Sequence, residues 1–449
     1  MKLKKLRLTN FRNYEDFEIE FNENLNVIVA ENGAGKTTIL DGVTVALGQF
    51  LSGFDTGKDS GFHSDDARLS VVQNTNSKML SMESNYPIAL EASGEINGKN
   101  KEWSRELSGK KSKTTYGNTK ALREYAKELQ NSVRNLEDIS LPIISYYGTG
   151  RLWNQKQTTK ESKNNTSRLF GYDKALEPAS TYKEFAKWFE DESKAQYNKL
   201  IYRIQKGEDV IGKEIDESQS LKSIRQAVDI CLLVSQWQDI RYDSEFQKIT
   251  VTHPIQGVVP VEYLSDGVRS MLAMTADIAY RCTKLNPHLD NAPKETEGVV
   301  MIDEVDLHLH PRWQQTVIPS LQEAFPKIQF IVTTHSPQVL TTVKPQNIQA
   351  LVLEKGQIKI EKFDFSWGAK SHELLNHILG VDERPQNLEI VKILNEYIKL
   401  VDDNLYHEEK ALKLREKLDS WGAGKEKELL KADMSIRAKE YRRKKYEKS

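Results

Sequence analysis

With 449 residues, the chain has room for about three average domains and for a sizeable buried core. Its 64 Lys and Arg residues balance 65 Asp and Glu, for a formal net charge of -1, which excludes a global basic field and leaves any nucleic-acid binding to a local patch. The only cysteines, Cys231 and Cys282, exclude a disulfide framework and a CxxC metal knuckle, and no apolar run approaches the ~20 residues of a membrane span, so a reducing, cytoplasmic setting with no membrane partner is expected.

In chain order, period-two alternation predicts strands over residues 3–9 and 17–21, and the apolar run Leu25-Asn26-Val27-Ile28-Val29-Ala30 predicts a buried strand. A glycine-rich turn and a helix over 36–50 follow. Residues 52–85, rich in Ser, Asp, Asn and Gly, read as a loop. Strands over 88–96 and 101–107 flank Asn97-Gly98, whose tolerance of positive φ suits a tight hairpin, and together make an antiparallel arm. A helix over 118–136 and an apolar strand over 141–147 lead to Gly148-Thr149-Gly150-Arg151 and to the polar, mobile-looking stretch 155–167.

A mostly helical lobe then carries amphipathic patterns over 181–205 and 219–239, strands over 246–252 and 257–263, and a helix over 266–283. Strands over 297–303 and 328–333 are joined by a helix over 311–325, with Pro311 in its first turn. Alternating strands and helices imply a parallel core sheet. A second strand, 357–362, precedes a charged helical region from about residue 386 that ends in a basic run. The expected division is 1–150 for a first lobe with its antiparallel arm, 151–263 for the helical lobe, 264–365 for the rest of the core, and 366–449 for a helical partner or oligomer contact.

Four segments carry chemistry. Ala30-Glu31-Asn32-Gly33-Ala34-Gly35-Lys36-Thr37 follows a buried strand and opens a helix, the setting of a Walker A loop whose N–H groups and helix dipole cradle phosphates. Asn32, Gly33, Ala34, Gly35, Lys36, Thr37 and Thr38 are the candidate nucleotide contacts, with Ala30 in place of the usual first glycine. Lys36 suits the β and γ phosphates of ATP, and the Thr37 hydroxyl suits Mg2+. Val299-Val300-Met301-Ile302-Asp303-Glu304 ends an apolar strand in two carboxylates, Asp303 for the Mg2+ shell and Glu304 to polarise the attacking water. Leu264-Ser265-Asp266-Gly267 at a strand-to-helix junction offers a hydroxyl and N–H groups to a γ-phosphate, although alone it could be a serine N-cap. Thr333-Thr334-His335-Ser336-Pro337 puts an imidazole at a strand end, where it could sense the γ-phosphate.

The order and spacing of these segments resemble the ABC-type ATPase heads of the RecF, SMC and OLD relatives, and Leu8-Thr9-Asn10-Phe11-Arg12-Asn13-Tyr14 resembles their opening strand motif. The resemblance implies an α/β ABC-ATPase head with a mixed β-sheet, an antiparallel arm, a helical lobe and a charged helical C-terminal extension. It implies that Ser265 and Gly267 of one copy close on ATP held by Lys36 and Glu304 of another, in a head-to-tail dimer or higher oligomer. It also implies roles for Asp306 across the dimer, His335 as the switch histidine and Arg12 at the nucleotide. No glutamine matches the Q-loop; Tyr147 to Arg151, with Gln155 and Gln157, takes that position.

The compact layout lacks SMC-length coiled coils and the acid cluster of a Toprim nuclease. His308 and His310 are expected to pack or cap a helix, Arg241, Glu245 and His253 form an accidental nuclease-like pattern, and the basic residues Lys99, Lys101, Arg105, Lys110, Lys111 and Lys113 are expected to form a solvated face. The chain most resembles the PtuA ATPases of Septu-type and retron-associated phage defence systems. That resemblance implies regulation of a separate HNH-type nuclease, with a reverse transcriptase and retron DNA or RNA in retron complexes. The alternative expectation is a RecF-like repair ATPase that clamps DNA directly.

Overall fold

Leu25–Ala30, Ile143–Tyr147, Gly298–Ile302 and Ile328–Thr334 are buried along their whole length, as strands covered on both faces must be. In the computed structural model, which describes residues 1–73, 80–151, 167–177, 182–207 and 218–446, they form the heart of a six-stranded sheet. Its order is Gln357–Glu361, Ile348–Glu354, Leu25–Ala30, Ile328–Thr334, Gly298–Ile302, Ile143–Tyr147. All neighbours run parallel except the edge pair Ile348–Glu354 and Gln357–Glu361. The register pairs Val29 with Thr334 and Ile302 with Val332, so the C-terminal ends of the three central strands lie side by side, where open α/β sheets bind ligands.

A four-stranded antiparallel sheet is ordered Tyr14–Glu20, Lys2–Phe11, Ile88–Ile96, Lys99–Leu107. Its hairpin turns at Asn97 and Gly98, with φ of 51° and 69°, and pairing starts at Ile96 with Lys99, so the strand begins two residues earlier than the sequence suggests. Arg105 is not part of a solvated basic face. Its side chain is buried, donating to the Val45 carbonyl at 3.0 Å and pairing with Asp59 at 2.8 Å, which ties the arm to the helix Lys36–Leu51.

Three expectations are corrected. The stretch 52–85 is not all loop, since Leu69–Gln73 and Leu80–Ser84 pair as an antiparallel hairpin; its Ser-rich composition hid the alternation. The pattern over 219–239 breaks after Gln219–Leu232, and Gln238–Asp243 is a strand with Ile240 and Tyr242 inward at period two. It joins Lys248–His253 and Gly257–Pro260 in a three-stranded sheet. The helix over 311–325 is two helices, Pro311–Gln314 and Val317–Ala324. Of the stretch 155–167, only Ser167 lies among the described residues. Among those residues no helix is long and apolar enough to cross a membrane.

The chain divides into two compact units, Met1–Leu374 and Leu375–Ser449. In the second, helices Glu389–Asp402, Glu409–Gly422 and Lys427–Tyr446 bury Leu394, Tyr397, Val401, Ala411, Leu418, Leu429 and Ala432 against one another. Arg415 pairs with Asp433 and, at 2.8 Å, with Asp419, and Lys439 donates to the carbonyl of Val401 at 2.6 Å, capping the end of the first of these helices.

In the first unit the helix Asp266–Leu285 is buried along most of its length and carries a charge pair into the core. Arg281 donates to Asp277 at 2.8 Å and to the Gly171 carbonyl at 2.8 Å, and the Tyr147 hydroxyl donates to Asp277 at 2.7 Å. Removing one partner of such a pair leaves a charge in a low-dielectric interior. Asp277→Ala is therefore expected to cost about 3–5 kcal/mol, read as a lower urea midpoint; an unchanged midpoint would mean that the carbonyl contacts alone satisfy the guanidinium.

Candidate functional site

The phosphate loop sits between Ala30 and Lys36, and its shape depends on the arm. Gly33 and Gly35 take φ of 83° and 88°. An added Cβ at Gly35 would stand 2.8 Å from the Tyr14 hydroxyl, which itself donates to the Gly35 carbonyl at 3.1 Å, while Asn13 Nδ2 donates to the Gly33 carbonyl at 2.8 Å. The turn between the first two strands thus brackets the loop from outside. Asn32 and Gly33 are exposed, Ala34 and Gly35 half-buried, Thr37 exposed and Thr38 buried, so the second threonine packs inward and only the first presents its hydroxyl.

Lys36 Nζ donates to the carbonyls of Ala30 at 3.0 Å and Glu31 at 3.1 Å. Burial lowers its pKa, and Asp303, Glu304 and Asp306 oppose that shift. The ammonium is therefore held inside its own loop, facing a cluster of carboxylates.

Thr37 Oγ1 donates to Asp303 at 2.8 Å, and Thr333 Oγ1 donates to the other oxygen of the same carboxylate at 2.5 Å. The Glu304 N–H donates back to Thr333 Oγ1 at 2.7 Å. One threonine thereby orients both acids. Glu304 has φ of 48°, a left-handed conformation that a side-chain-bearing residue adopts only when its surroundings impose it. A hydroxyl and a carboxylate side by side at the loop are hard oxygen donors, a set that fits Mg2+.

Asp306 accepts from Thr334 Oγ1, and the Ser336 N–H donates to the same hydroxyl at 3.0 Å. His335 lies one residue past the strand Ile328–Thr334, and burial first, then Lys36, lowers its pKa, with Asp306, Glu304 and Asp303 opposing the shift.

Arg12 pairs with Asp66 at 2.8 Å and also with Asp41, which stands one helical turn beyond Thr37. Burial raises the Asp41 carboxyl, Arg12 opposes the shift, and Tyr146 hydrogen-bonds it. At the position of the Q-loop, Thr149–Arg151 forms a short 3-10 turn; Gln155 and Gln157 lie outside the described residues.

Ser265 precedes Asp266–Leu285 yet its side chain makes no cap hydrogen bond, so helix capping does not account for it. Gly267 is buried where an added Cβ would stand 2.5 Å from the His308 carbonyl oxygen. His310 accepts from the Arg312 N–H at 3.3 Å and caps its helix. His253 accepts from Ile255 and Gln256 in a hairpin turn, and Arg241 pairs with Asp239.

Sequence reasoning quoted Asn13, Tyr14 and Thr333 within motifs without giving them a role, and missed Asp41. The helical period from Thr37 would have drawn attention to Asp41. Thr333 is found only through strand order.

Backbone N–H groups at a helix start, an ammonium, a hydroxyl with a carboxylate, and a second carboxylate in one cleft suit a nucleoside triphosphate. The AAA domain family matches residues 5–229. The chain belongs to this family. With the relatives that follow, that match supports an ABC-type ATPase of the RecF-like superfamily. The retron Ec83 probable ATPase of Escherichia coli is 29% identical, over 91% of this chain and 82% of its own length. The retron Vc95 probable ATPase of Vibrio cholerae serotype O1 biovar El Tor is 26% identical, over 78% and 73%. The Septu protein PtuA of Bacillus thuringiensis is 31% identical over 36% of this chain and 42% of its own.

Thr333→Val removes the hydroxyl that holds both acids of this ATPase. Steady-state hydrolysis is expected to fall about tenfold, the scale of ~1.4 kcal/mol, with ATP affinity retained; unchanged turnover would mean that Asp303 and Glu304 are positioned without it. Lys36→Ala is expected to move the His335 midpoint upward in an NMR pH titration, because it deletes a positive neighbour. A midpoint that stays put would assign the whole shift to burial.

Proposed function

We propose that the chain hydrolyses ATP between two head-to-tail copies, and that its nucleotide state governs a separate HNH-type nuclease in an anti-phage defence complex of the retron or Septu kind. The observation that carries the ATPase half is the bond of Thr37 to Asp303, with Glu304 turned out beside it by Thr333. The defence half draws support from the retron Ec83 relative, whose likeness extends over 91% of this chain, against 13% for a RecF of Clostridioides difficile. A reverse transcriptase and its DNA or RNA would belong to such a complex, and Leu375–Ser449 is the proposed docking unit.

In this mechanism Lys36 leaves its loop carbonyls for the β and γ phosphates, and the loop N–H groups from Asn32 to Thr38 receive the phosphate oxygens. Thr37 and Asp303 would hold Mg2+, which would supply charge neutralisation at the phosphates. Glu304 orients water for in-line attack on the γ-phosphorus and takes its proton as the bond to the ADP oxygen breaks. His335 donates a hydrogen bond to the γ-phosphate. Ser265 and the Gly267 N–H of the second copy complete the site, and Asp306 faces the junction. Arg12 acts from behind, through Asp41.

Lys36→Ala should abolish ATP binding, because no other cation replaces its charge in the loop. Glu304→Gln should keep ATP, lose turnover by about a hundredfold or more, and accumulate a dimer in light scattering; wild-type hydrolysis in that variant would remove Glu304 from its role. Affinity capture of tagged Glu304→Gln from its host should recover a small nuclease. Recovery of chromosomal DNA alone would favour the RecF-like clamp instead.

A further inference from the structure

The surface that precedes the signature carries an aromatic side chain for which the ATPase chemistry gives no use. Tyr263 is 74% exposed, although its chain neighbours Val261 and Leu264 are buried. Leu264 and Ser265 are both extended, with φ and ψ of -72° and 156°, and -60° and 153°. Tyr263 and Ser265 flank buried Leu264, and both are exposed.

Lys248, on the strand Lys248–His253, holds its ammonium 5.4 Å from the centroid of the Tyr263 ring. That contact draws the ring toward one position and puts a positive charge beside it. An aromatic face next to an ammonium, one step from a hydroxyl that presents itself to a γ-phosphate, is a set suited to the remainder of a nucleotide. The hydroxyl meets the last phosphate, the ammonium meets the phosphate chain, and the ring meets the base. Two extended residues span about 7 Å, which takes the ring away from the γ-phosphate and toward the ribose and base.

We infer that Tyr263, steadied by Lys248, stacks on the base of ATP held in the loop of a second copy of this chain, so that the closing copy reads the nucleotide as well as its γ-phosphate. The inference rests on the head-to-tail dimer. It makes Tyr263 a nucleotide-binding residue that acts in trans: the open chain binds ATP through Lys36 and its loop, and Tyr263 contributes only on closure.

The test is an ATP titration of dimer formation by light scattering, in the full chain carrying Glu304→Gln, with and without Tyr263→Ala or Tyr263→Trp. Binding of a fluorescent ATP analogue is measured alongside at protein concentrations where the chain is monomeric. Tyr263→Ala is expected to raise the ATP concentration for half-maximal dimer about tenfold, the scale of one base–aromatic stack. Tyr263→Trp is expected to keep it near the parent value, and analogue binding by the monomer should change in neither. An unchanged half-point in the Ala variant overturns the inference. So does equal loss in Ala and Trp with a weaker dimer at saturating ATP, which would make Tyr263 a protein–protein contact. If the Glu304→Gln parent itself forms no ATP-dependent dimer, the dimer fails first and the stack fails with it. Because Tyr263 is exposed, both variants are expected to fold, and urea midpoints equal to the parent's check this.

Discussion

The hydrogen bond from Thr37 to Asp303 joins residues 266 apart in sequence, and the site depends on it. It exists because Leu25–Ala30 and Gly298–Ile302 both pair in parallel with Ile328–Thr334, which ends all three strands on one edge. A slip of one residue in that pairing would turn every side chain to the opposite face. The site is thus protected by the buried apolar residues of the strands, which make such a slip costly.

The loop between those strands is held from outside as well as beneath. Asn13, in the turn between the first two strands, and Tyr14, which starts the second, brace the loop by donating to the Gly33 and Gly35 carbonyls. Buried Arg105 fixes the same sheet to the helix that follows the loop. Movement of the arm and distortion of the phosphate cradle are mechanically linked, because two donors and a buried guanidinium span the gap.

Much of this was legible in the sequence. Lys36 and Thr37 open a helix after a glycine-rich turn, while Asp303, Glu304 and His335 lie just past strand ends, which are marked by an apolar run giving way to polar residues. The strand Gln238–Asp243 was hidden because its buried face is only two residues long, Ile240 and Tyr242, too short for a period of two to stand out beside the helical pattern before it. The hairpin Leu69–Gln73 with Leu80–Ser84 was hidden for a different reason: interspersed serines blur its alternation, and its apolar Leu69, Val71 and Met82 stay exposed. Arg105 looked like its lysine neighbours because charge says nothing of burial. Thr333 has no local signature at all; its role follows from which strand lies next to which.

The contact of Gly267 with His308 bears on how two sites in one assembly could communicate. In a head-to-tail pair, Ser265 and Gly267 would serve the partner's nucleotide, while Asp303, Glu304 and Asp306 would serve the chain's own. Gly267 stands so close to the His308 carbonyl that a single methyl group would not fit, and His308 follows Asp306 by two residues in a turn where it takes φ of 61°. A packed contact of this kind transmits displacement, since neither backbone can move toward the other. In such a pair the segment facing the partner's γ-phosphate would abut the segment that carries this chain's own acids, and that adjacency would couple the two sites through packed backbone. The contact itself asks for glycine at position 267 on steric grounds that are independent of any nucleotide.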